Sequence, residues 1–438
     1  MSKKFIILIT VLILILVLFF GFSYLTKKEN PAPQAGEIKE ENFFANIFNF
    51  SNIKNNETIN EVVDFITGND NNENEDSKIK NKLNKISSVA VSGYGVYDKE
   101  IYKEIPDVEP NEIKQATLTE QPTSPETEFI SVIKYSDKNN GNIYQTLIED
   151  LEEKVYSSTI IPNVHETLFT KNNVIYRYLK NGNTIVTFLG ELPKEILGQD
   201  SNNNEIFGSF LPDGIKDISI SPSKENIFYL NLTKNGVVGI LINNTGTKNN
   251  IFESSFSEWY SSWVNDDLII LNTKPSGVVD GFAYLLNTKN KSFDKVLDKV
   301  KGLTTLANKD LSYILYSDNN LSLKLFNPNN GGIRNLRINT HTEKCTWSND
   351  NITLYCAIPK TIEGGYIYPD AWYQGEVSYN DEIWKINTET GAKTKLIDPQ
   401  SLYENEVIDA TNLSLDKNEK TLLFMNKVDS YLWGLSLD

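Results

Sequence analysis

The sequence predicts an all-β fold: a β-propeller of seven blades, with six or eight left open, preceded by a transmembrane helix and a disordered spacer. Three observations lead to this prediction. The chain opens with a long apolar run, continues with a segment dominated by Asn, Glu, Asp and Lys, and then repeats one hairpin pattern roughly every forty residues. The predicted parts are an anchor at 1–28, a spacer at 29–81 and a propeller at 82–438.

The apolar run from Phe5 to Leu25 has almost no polar side chain and is flanked by Lys pairs. A helix of this length would be about 31 Å long, enough to cross a hydrocarbon core of about 30 Å. A cleaved signal peptide has a shorter apolar run and small residues at its exit, whereas this run ends in GFSYLTKK. We therefore expect a retained single-pass anchor in the cell membrane, with the rest of the chain outside the cytoplasm.

The spacer is too polar to bury the apolar surface that would offset the entropy of chain ordering. Its DNNENED stretch begins like a calcium loop, but Glu75 stands where Gly is needed and Asn81 where Glu is needed. The whole chain has 42 basic and 58 acidic residues, a net charge of −16. That charge disfavours nucleic acid and anionic lipid surfaces, so the only expected membrane contact is the N-terminal helix.

The repeated pattern is an apolar residue, a turn of Ser, Asn, Asp, Lys or Pro, and an alternating run of Ile, Leu, Val, Tyr and Phe. Successive copies are 41 to 51 residues apart, except for one step of 68. Between them lie further strand–turn–strand patterns, which makes four strands per repeat and favours propeller blades. The copies are FTKNNVIYRY from Phe169, ISPSKENIFYL from Ile220, WVNDDLIIL from Trp263, LANKDLSYILY from Leu306, WSNDNITLYC from Trp347 and LDKNEKTLLF from Leu415.

The two ends of the repeat region set the blade count. The C-terminal repeat stops after three strands, and KLNKISS at 82–88 is placed to supply the fourth. VAVSGYGVY at 89–97 is then the innermost strand of the first blade. Closing the ring in this way removes exposed sheet edges and gives seven blades.

These phrases resemble the W-S-P-D-G-x-x-L-x-Y pattern of TolB-type, WD-repeat-like propellers. ISPSKENIFYL and WSNDNITLYC are the nearest copies, although none has the full Pro-Asp-Gly. The resemblance covers about residues 82–438, and the chain as a whole is similar to single-anchor bacterial envelope propellers. It implies a propeller fold and a tendency to bind proteins, while the fold by itself leaves the activity open.

The two cysteines, Cys345 and Cys356, flank a turn in one copy of the repeat. If Asp350 and Asn351 are the turn residues, the cysteines are directly opposite each other. Outside the cytoplasm this favours a disulfide over two buried thiols. A two-residue turn would put the pair at a hydrogen-bonded position, where the Cβ atoms are farther apart, which argues against the bond, whereas a longer turn would change the register. In either case we predict a structural role.

The long step of 68 residues contains an aromatic insertion near 359–381. Long loops on a rigid scaffold concentrate binding surfaces, and Tyr and Trp provide large contact areas. We predict an interaction site there, while the alternative is that these rings cap the propeller end. A second, Pro- and Glu-rich insertion lies near 98–128. The predicted binding residues are Tyr366, Tyr368, Asp370, Trp372 and Tyr373.

Signatures of catalysis and of metal binding are missing from the sequence. His165 and His341 stand far apart and in no metal-ligand spacing, and two cysteines cannot complete a zinc site. There is no G-x-S-x-G elbow and no Gly-rich phosphate loop. We therefore predict no catalytic residue, metal or cofactor, although the many acidic residues leave paired carboxylates for glycoside hydrolysis open.

The function predicted from the sequence is a protein-binding or scaffolding module of the cell envelope, with a protein as its partner. The alternative is a propeller enzyme, a hydrolase or lyase, that acts on envelope glycans or small metabolites. A third interpretation is a purely structural subunit of a larger assembly. An enzyme would need converging acids with perturbed pKa values, whereas a scaffold would need an exposed aromatic patch with a polar rim.

Overall fold

The repeated phrases form the first two strands of successive four-stranded antiparallel sheets. In ISPSKENIFYL, Ile220 ends one strand, and the next begins at Ile227, directly opposite it. Lys224 adopts a positive φ of 61° in the turn between them, and its N–H donates to Ser221 O at 2.8 Å. The run Ile227 to Leu230 is buried throughout, because a strand inside a sheet that packs on both faces needs apolar residues at every position.

The computed structural model describes residues 82–102, 127–148, 151–180, 184–194, 205–404 and 406–437. The predicted anchor and spacer lie outside these ranges. Of the insertion near 98–128, the structure describes only the residues that continue its two flanking strands. None of the helices in the described residues has the length and apolar character needed to span a bilayer.

The described strands are grouped into seven sheets, which are the blades of a propeller. Blade 1 contains β2 to β5, blade 2 β6 to β9 and blade 3 β10 to β13. The bounds of the first thirteen strands are β1 Leu83–Lys85, β2 Val91–Tyr102, β3 Thr127–Asp137, β4 Ile143–Leu147, β5 Glu153–Ser157, β6 Val164–Phe169, β7 Asn173–Lys180, β8 Thr184–Glu191, β9 Gly208–Phe210, β10 Ile215–Ile220, β11 Ile227–Thr233, β12 Gly236–Ile242 and β13 Lys248–Ser254.

Blades 4, 5 and 6 contain β14 to β17, β18 to β21 and β22 to β25, and blade 7 combines β26 to β28 with β1. Helical structure in the described residues is confined to a four-residue α-helix and two 3-10 turns, α1 Asp370–Tyr373, Thr342–Lys344 and Pro399–Ser401. The remaining strand bounds are β14 Trp259–Asn265, β15 Leu268–Thr273, β16 Asp280–Asn287, β17 Phe293–Lys301, β18 Thr304–Ala307, β19 Ile314–Ser317, β20 Ser322–Phe326, β21 Ile333–Asn339, β22 Cys345–Trp347, β23 Thr353–Pro359, β24 Asp381–Asn387, β25 Lys393–Ile397, β26 Ala410–Leu415, β27 Thr421–Asn426 and β28 Leu432–Ser436.

The ring closes through the N-terminal strand, as the sequence predicts. β1 pairs antiparallel with β28, with Leu83 opposite Leu435 and Lys85 opposite Trp433. Blade 7 therefore takes its fourth, outermost strand from the start of the propeller, which confirms the seven-blade count and leaves the C-terminal strand β28 paired on both sides.

The apolar core lies between neighbouring blades. Phe228 and Leu230 of blade 3, for example, pack with Trp259, Ile269 and Leu271 of blade 4. Full burial of each such side chain contributes roughly 1.5–3 kcal/mol relative to exposure. Because the first strands of neighbouring blades contact one another, they form the inner ring around the propeller axis.

Alternate connections of an antiparallel sheet lie at the same end of the blade. One face of the propeller therefore contains the connections from the second to the third strand of each blade and from the fourth strand to the next blade. The segment 360–380, which joins β23 to β24 in blade 6, lies on this face and covers most of the aromatic insertion predicted from the sequence. We call this segment the strap and its side of the propeller the strap face.

The cysteine hairpin has the predicted pairing and a longer turn than the two-residue loop considered from the sequence. Cys345 is directly opposite Cys356. The hydrogen bond from Ser348 N–H to Thr353 O closes a four-residue loop. Opposite pairs in an antiparallel hairpin alternate between hydrogen-bonded and non-hydrogen-bonded positions. The cysteines lie three residues from the hydrogen-bonded pair of Ser348 and Thr353, so they occupy a non-hydrogen-bonded position, where the Cα atoms are closer together. Their Cα atoms are 4.1 Å apart and their sulfur atoms are bonded.

Candidate functional site

The strap crosses the strap face from blade 4 to blade 7. On the blade 4 side, Asp370 Oδ2 of the strap accepts a hydrogen bond of 2.6 Å from the N–H of Gly277, in the loop between β15 and β16. On the blade 7 side, Lys427 Nζ, in the loop between β27 and β28, donates to Trp372 O of the strap at 2.9 Å. These bonds fix a loop of blade 6 to two other blades.

The underside of the strap is an aromatic layer. Trp372 stacks on His341, with ring centroids 4.4 Å apart and an interplanar angle of 22°. His341 Nε2 lies 3.0 Å from the hydroxyl of Tyr379. Burial, together with the neighbouring Lys344 and Lys427, holds the pKa of His341 well below its usual value. The imidazole is therefore neutral at ordinary pH and acts as part of the packing.

Beneath this layer lies a charged cluster that we call the strap anchor: Lys344, Asp381 and Asp409. All three side chains are 0% exposed, and Lys344 Nζ lies 2.7 Å from Asp381 Oδ2 and 2.5 Å from Asp409 Oδ1. Asp409 Oδ2 also accepts hydrogen bonds from Trp372 Nε1 at 3.0 Å and from the N–H of Tyr379 at 3.1 Å. The cluster therefore ties the strap to the inner ends of blades 6 and 7.

The two carboxylates of the strap anchor differ in their hydrogen bonding. Asp381 Oδ2 accepts the N–H of Ala410 as well as Lys344, but its Oδ1 is buried with no hydrogen-bond donor among the described residues. Burial raises the pKa of Asp381 to about 6, against the opposing effect of the Lys344 charge. This arrangement offers a substrate no accessible atom, so we interpret it as structural.

The five binding residues predicted from the sequence separate into buried and exposed members. Tyr368 and Trp372 are buried on the underside of the strap. Asp370 is half-buried and accepts a hydrogen bond from the N–H of Gly277. Tyr373 is partly exposed and donates its hydroxyl proton to Glu343, whereas Tyr366 is exposed and has no role in the anchor. The buried rings match the alternative of a cap on the propeller end, and the exposed ones remain available for binding.

The outer edge of the strap presents an apolar surface that we call the strap patch: Val278, Val279, Tyr366 and Ile367. These side chains are 60%, 62%, 41% and 53% exposed. The two loops interlock at Gly277, where a Cβ atom would lie 2.7 Å from Ile367 Cγ2. Only glycine allows that approach, so the sequence builds one continuous surface from blade 4 and blade 6.

A second group of acids lies where the inner strands of blades 2 to 4 begin at the strap face. Asp217 Oδ2 accepts two hydrogen bonds from Ser261, 2.7 Å from the N–H and 2.5 Å from the hydroxyl. Burial raises the pKa of Asp217 to about 6, and the nearby Glu166 charge adds to the shift. Arg177 pairs with Glu166 at 2.5 Å.

Glu343 approaches the same region from the connection between blades 5 and 6. Burial raises its pKa, and it accepts the hydroxyl proton of Tyr373. The pKa of Tyr260 is raised by burial and by the nearby Asp217 and Glu343 carboxylates. We call Glu166, Asp217, Tyr260 and Glu343 the channel mouth. No group of three or more His, Cys, Asp or Glu side chains in the described part of the chain is placed to hold a metal ion.

The sequence indicates the strap, whereas the strap anchor and the channel mouth are not apparent in it. Glu166 and Asp217 occupy the same place in two neighbouring blades, two residues into the first strand. That equivalence becomes visible only after the blades are aligned on their hairpins. Nothing local to Lys344 marks it as buried, because Asp381 lies two strands away in blade 6 and Asp409 lies at the start of blade 7.

No protein-family model and no curated protein sequence matches this chain. Among solved structures, the chain is similar to an oligogalacturonate lyase in complex with manganese, at 11% identity and a TM-score of 0.42, over 70% of this chain and 85% of that one. It is also similar to TolB from Acinetobacter baumannii, at 10% identity and a TM-score of 0.39, over 70% and 77% of the two chains.

An oligogalacturonate lyase from Vibrio parahaemolyticus is similar at 11% identity and a TM-score of 0.38, over 70% of this chain and 74% of that one. TolB, the type of propeller that the hairpin phrases resemble, is thus among the structural neighbours. At these identities the similarity concerns the fold, and no residue role is transferred from it.

Proposed function

We propose that this protein is a membrane-anchored, extracytoplasmic β-propeller that binds a partner protein of the cell envelope through the strap patch. The observation that carries the proposal is the strap patch itself. Four exposed apolar side chains come from two loops that are locked together on a rigid face. Clustered exposed apolar residues on a soluble domain are typical of interaction sites.

The surroundings of the strap patch indicate the kind of partner. Asp280 follows Val279 directly, and Glu363 lies close to the patch because its carbonyl accepts the hydroxyl of Tyr368 at 2.9 Å. Both acids are exposed. An apolar centre with an acidic rim fits a partner that presents an apolar anchor surrounded by Lys or Arg.

The location is supported by the sequence. The apolar run from Phe5 to Leu25 is long enough for a single membrane crossing, and the polar segment 29–81 separates it from the propeller. An anchor of this kind would keep the protein at the membrane, where a partner of the cell envelope is found.

The proposal is tested by crosslinking in intact cells, followed by affinity capture of the full-length protein. The test variant replaces Val279 and Ile367 with Glu. The matched control is Val155→Glu, because Val155 is also exposed and lies on the outer strand of blade 1. We expect a captured partner that is lost in the test variant and retained in the control. Capture that is unaffected by the test variant, or equally lost in both, would contradict the proposal.

The channel mouth favours a second candidate, an enzyme that acts on envelope glycans or small metabolites. Its specific support is Asp217, a carboxylic acid with a pKa of about 6 beside other acids and a tyrosine. A group that titrates near neutrality can donate and accept a proton in turn. The test is to incubate glycan fragments and metabolite extracts with the wild type and with Asp217→Asn. A product formed only by the wild type would establish this activity, and its absence would leave binding as the function.

A further inference from the structure

We infer that a cleft between blades 5 and 6 binds a carboxylate-bearing sugar chain. The cleft has a volume of about 440 Å³ and lies between the outer strand β21 and the strands β23 to β25. This is within the usual size range of sites for small ligands. It is separate from the strap patch and does not depend on the function proposed above. Its main lining residues are Arg337, Ile358, Lys360, Glu382, Trp384 and Lys393.

The charge of the cleft is opposite to that of the whole protein. The chain has a net charge of −16, yet three basic side chains and one acidic side chain line this cavity. Lys360 is balanced by Asp398 at 2.6 Å. Lys393 Nζ donates to the backbone O of Arg337 at 3.1 Å, so its charge meets no carboxylate there.

Arg337 is a basic residue of the cleft whose guanidinium is open to a ligand. Its side chain is exposed, and none of the described residues accepts a hydrogen bond from its guanidinium or pairs with its charge. A guanidinium presents a planar fork of donors that matches a carboxylate in two parallel hydrogen bonds. Lys393, whose Nζ lies 3.1 Å from the backbone O of Arg337, adds a second positive charge to this side of the cleft.

The opposite wall provides a flat apolar surface with a fixed orientation. Trp384 is half-buried, and its indole N–H donates to Glu382 Oε2 at 3.1 Å. Lys395 Nζ pairs with Glu382 Oε1 at 3.2 Å. The two bonds hold the indole while leaving acceptor capacity on the Glu382 carboxylate, since each of its oxygens has two lone pairs.

The combination favours a sugar acid over other anions. A sugar ring has an apolar face that can pack on an indole, hydroxyl groups that can donate to Glu382, and a carboxylate for Arg337. A polyphosphate or a strongly acidic peptide would bring several negative charges close to Glu382 on a protein that is already acidic. A neutral glycan would leave Arg337 and Lys393 without a charged partner.

The experiment is calorimetric titration of the full-length chain with a hyaluronan tetrasaccharide, which alternates a uronic acid with N-acetylglucosamine. The neutral comparison is N-acetylchitotetraose, and hexaglutamate represents an acidic peptide. We expect binding of the acidic sugar only, weakened by added salt. Arg337→Gln should weaken it by about tenfold or more, as expected for loss of a charged hydrogen-bond pair.

The matched control is Arg334→Gln. Arg334 is exposed on the same strand, but its guanidinium donates to Glu389 O at 3.1 Å and does not line the cleft. Both substitutions are at the surface, so folding is preserved and can be verified by thermal melting. Equal binding of the neutral sugar, tighter binding of hexaglutamate, no binding of any of the three, or an equal effect of the two substitutions would overturn the inference.

Discussion

Two clusters of carboxylates on the strap face, the strap anchor and the channel mouth, differ in what compensates their charge. In the strap anchor, Asp381 and Asp409 share the ammonium of Lys344, and all three are inaccessible to solvent. At the channel mouth, Asp217 is held by the N–H and hydroxyl of Ser261, which are neutral donors. The aspartates of the strap anchor are thus compensated by a full positive charge, whereas Asp217 at the channel mouth is compensated by neutral hydrogen-bond donors.

The comparison separates a structural role from a chemical one. Lys344 is committed to both carboxylates of the anchor, and removing it would leave two buried acids unpaired. Asp217 and Asp381 both have a pKa raised to about 6, but Asp381 is fully buried beside Lys344, whereas Asp217 is only partly buried and stands near Glu166 and Tyr260. The strap depends on the first site, whereas any proton transfer would use the second.

The largest effect is expected when the cation of the strap anchor is removed. Lys344→Met should lower the free energy of unfolding by about 3–5 kcal/mol, because Asp381 and Asp409 then remain buried without their counter-charge. Urea denaturation monitored by tryptophan fluorescence measures the change.

The control for this substitution is an ion pair of similar length at the surface. Lys289 Nζ lies 2.6 Å from Asp267 Oδ2, and both side chains are largely solvated. Lys289→Met should change the free energy of unfolding by less than about 1 kcal/mol. If the two substitutions had similar effects, the distinction between the buried and the exposed pair would be wrong.

The next effect concerns the two sides of the strap. Trp372→Ala should destabilise the protein by about 3–5 kcal/mol, because it leaves a cavity over His341 and removes a hydrogen bond to Asp409. Tyr366→Ala, at the outer edge, should change stability by about 0.5 kcal/mol or less. Thermal melting of both variants tests this difference. A large effect of Tyr366→Ala would mean that the outer edge is part of the core.

Much of the fold could be predicted because its signals are local. The turn residues and alternating apolar runs of each hairpin lie within about ten residues of one another, so the phrase from Ile220 identifies its two strands directly. The missing fourth strand of the last repeat predicted that the segment 82–88 completes that blade, and the structure shows this as the pairing of Leu83 with Leu435, at opposite ends of the propeller.

The candidate sites could be predicted only in part, because each site is formed by residues from different blades that are far apart in the sequence. The strap could be recognised from its length and aromatic content, but which of its rings are buried depends on His341 and Asp409, outside the segment. Asp217 and Glu166 likewise become neighbours only when blades 2 and 3 pack together. The turn between the cysteines is the longer of the two possibilities that the sequence left open, because Ser348 pairs with Thr353.

The smallest of these effects is a pH dependence that isolates the channel mouth. The pKa of Asp217 is raised from 3.8 to about 6 in the folded state, so the folded protein binds one more proton than the unfolded chain between these values. Stability contributed by this group therefore falls as pH rises from about 4 to 6. Asp217→Asn should be stabilised relative to the wild type by about 1–2 kcal/mol more at pH 7 than at pH 4.

The control for this prediction is Asp213→Asn, which removes one charge at an exposed position. His341 acts in the opposite direction, since its depressed pKa removes stability as pH falls below 6.5, but it is present in both proteins and cancels. A difference that stayed constant between pH 4 and pH 7 would show that the pKa of Asp217 is not raised in the folded protein, and the channel mouth would then lose its support as a site of proton transfer.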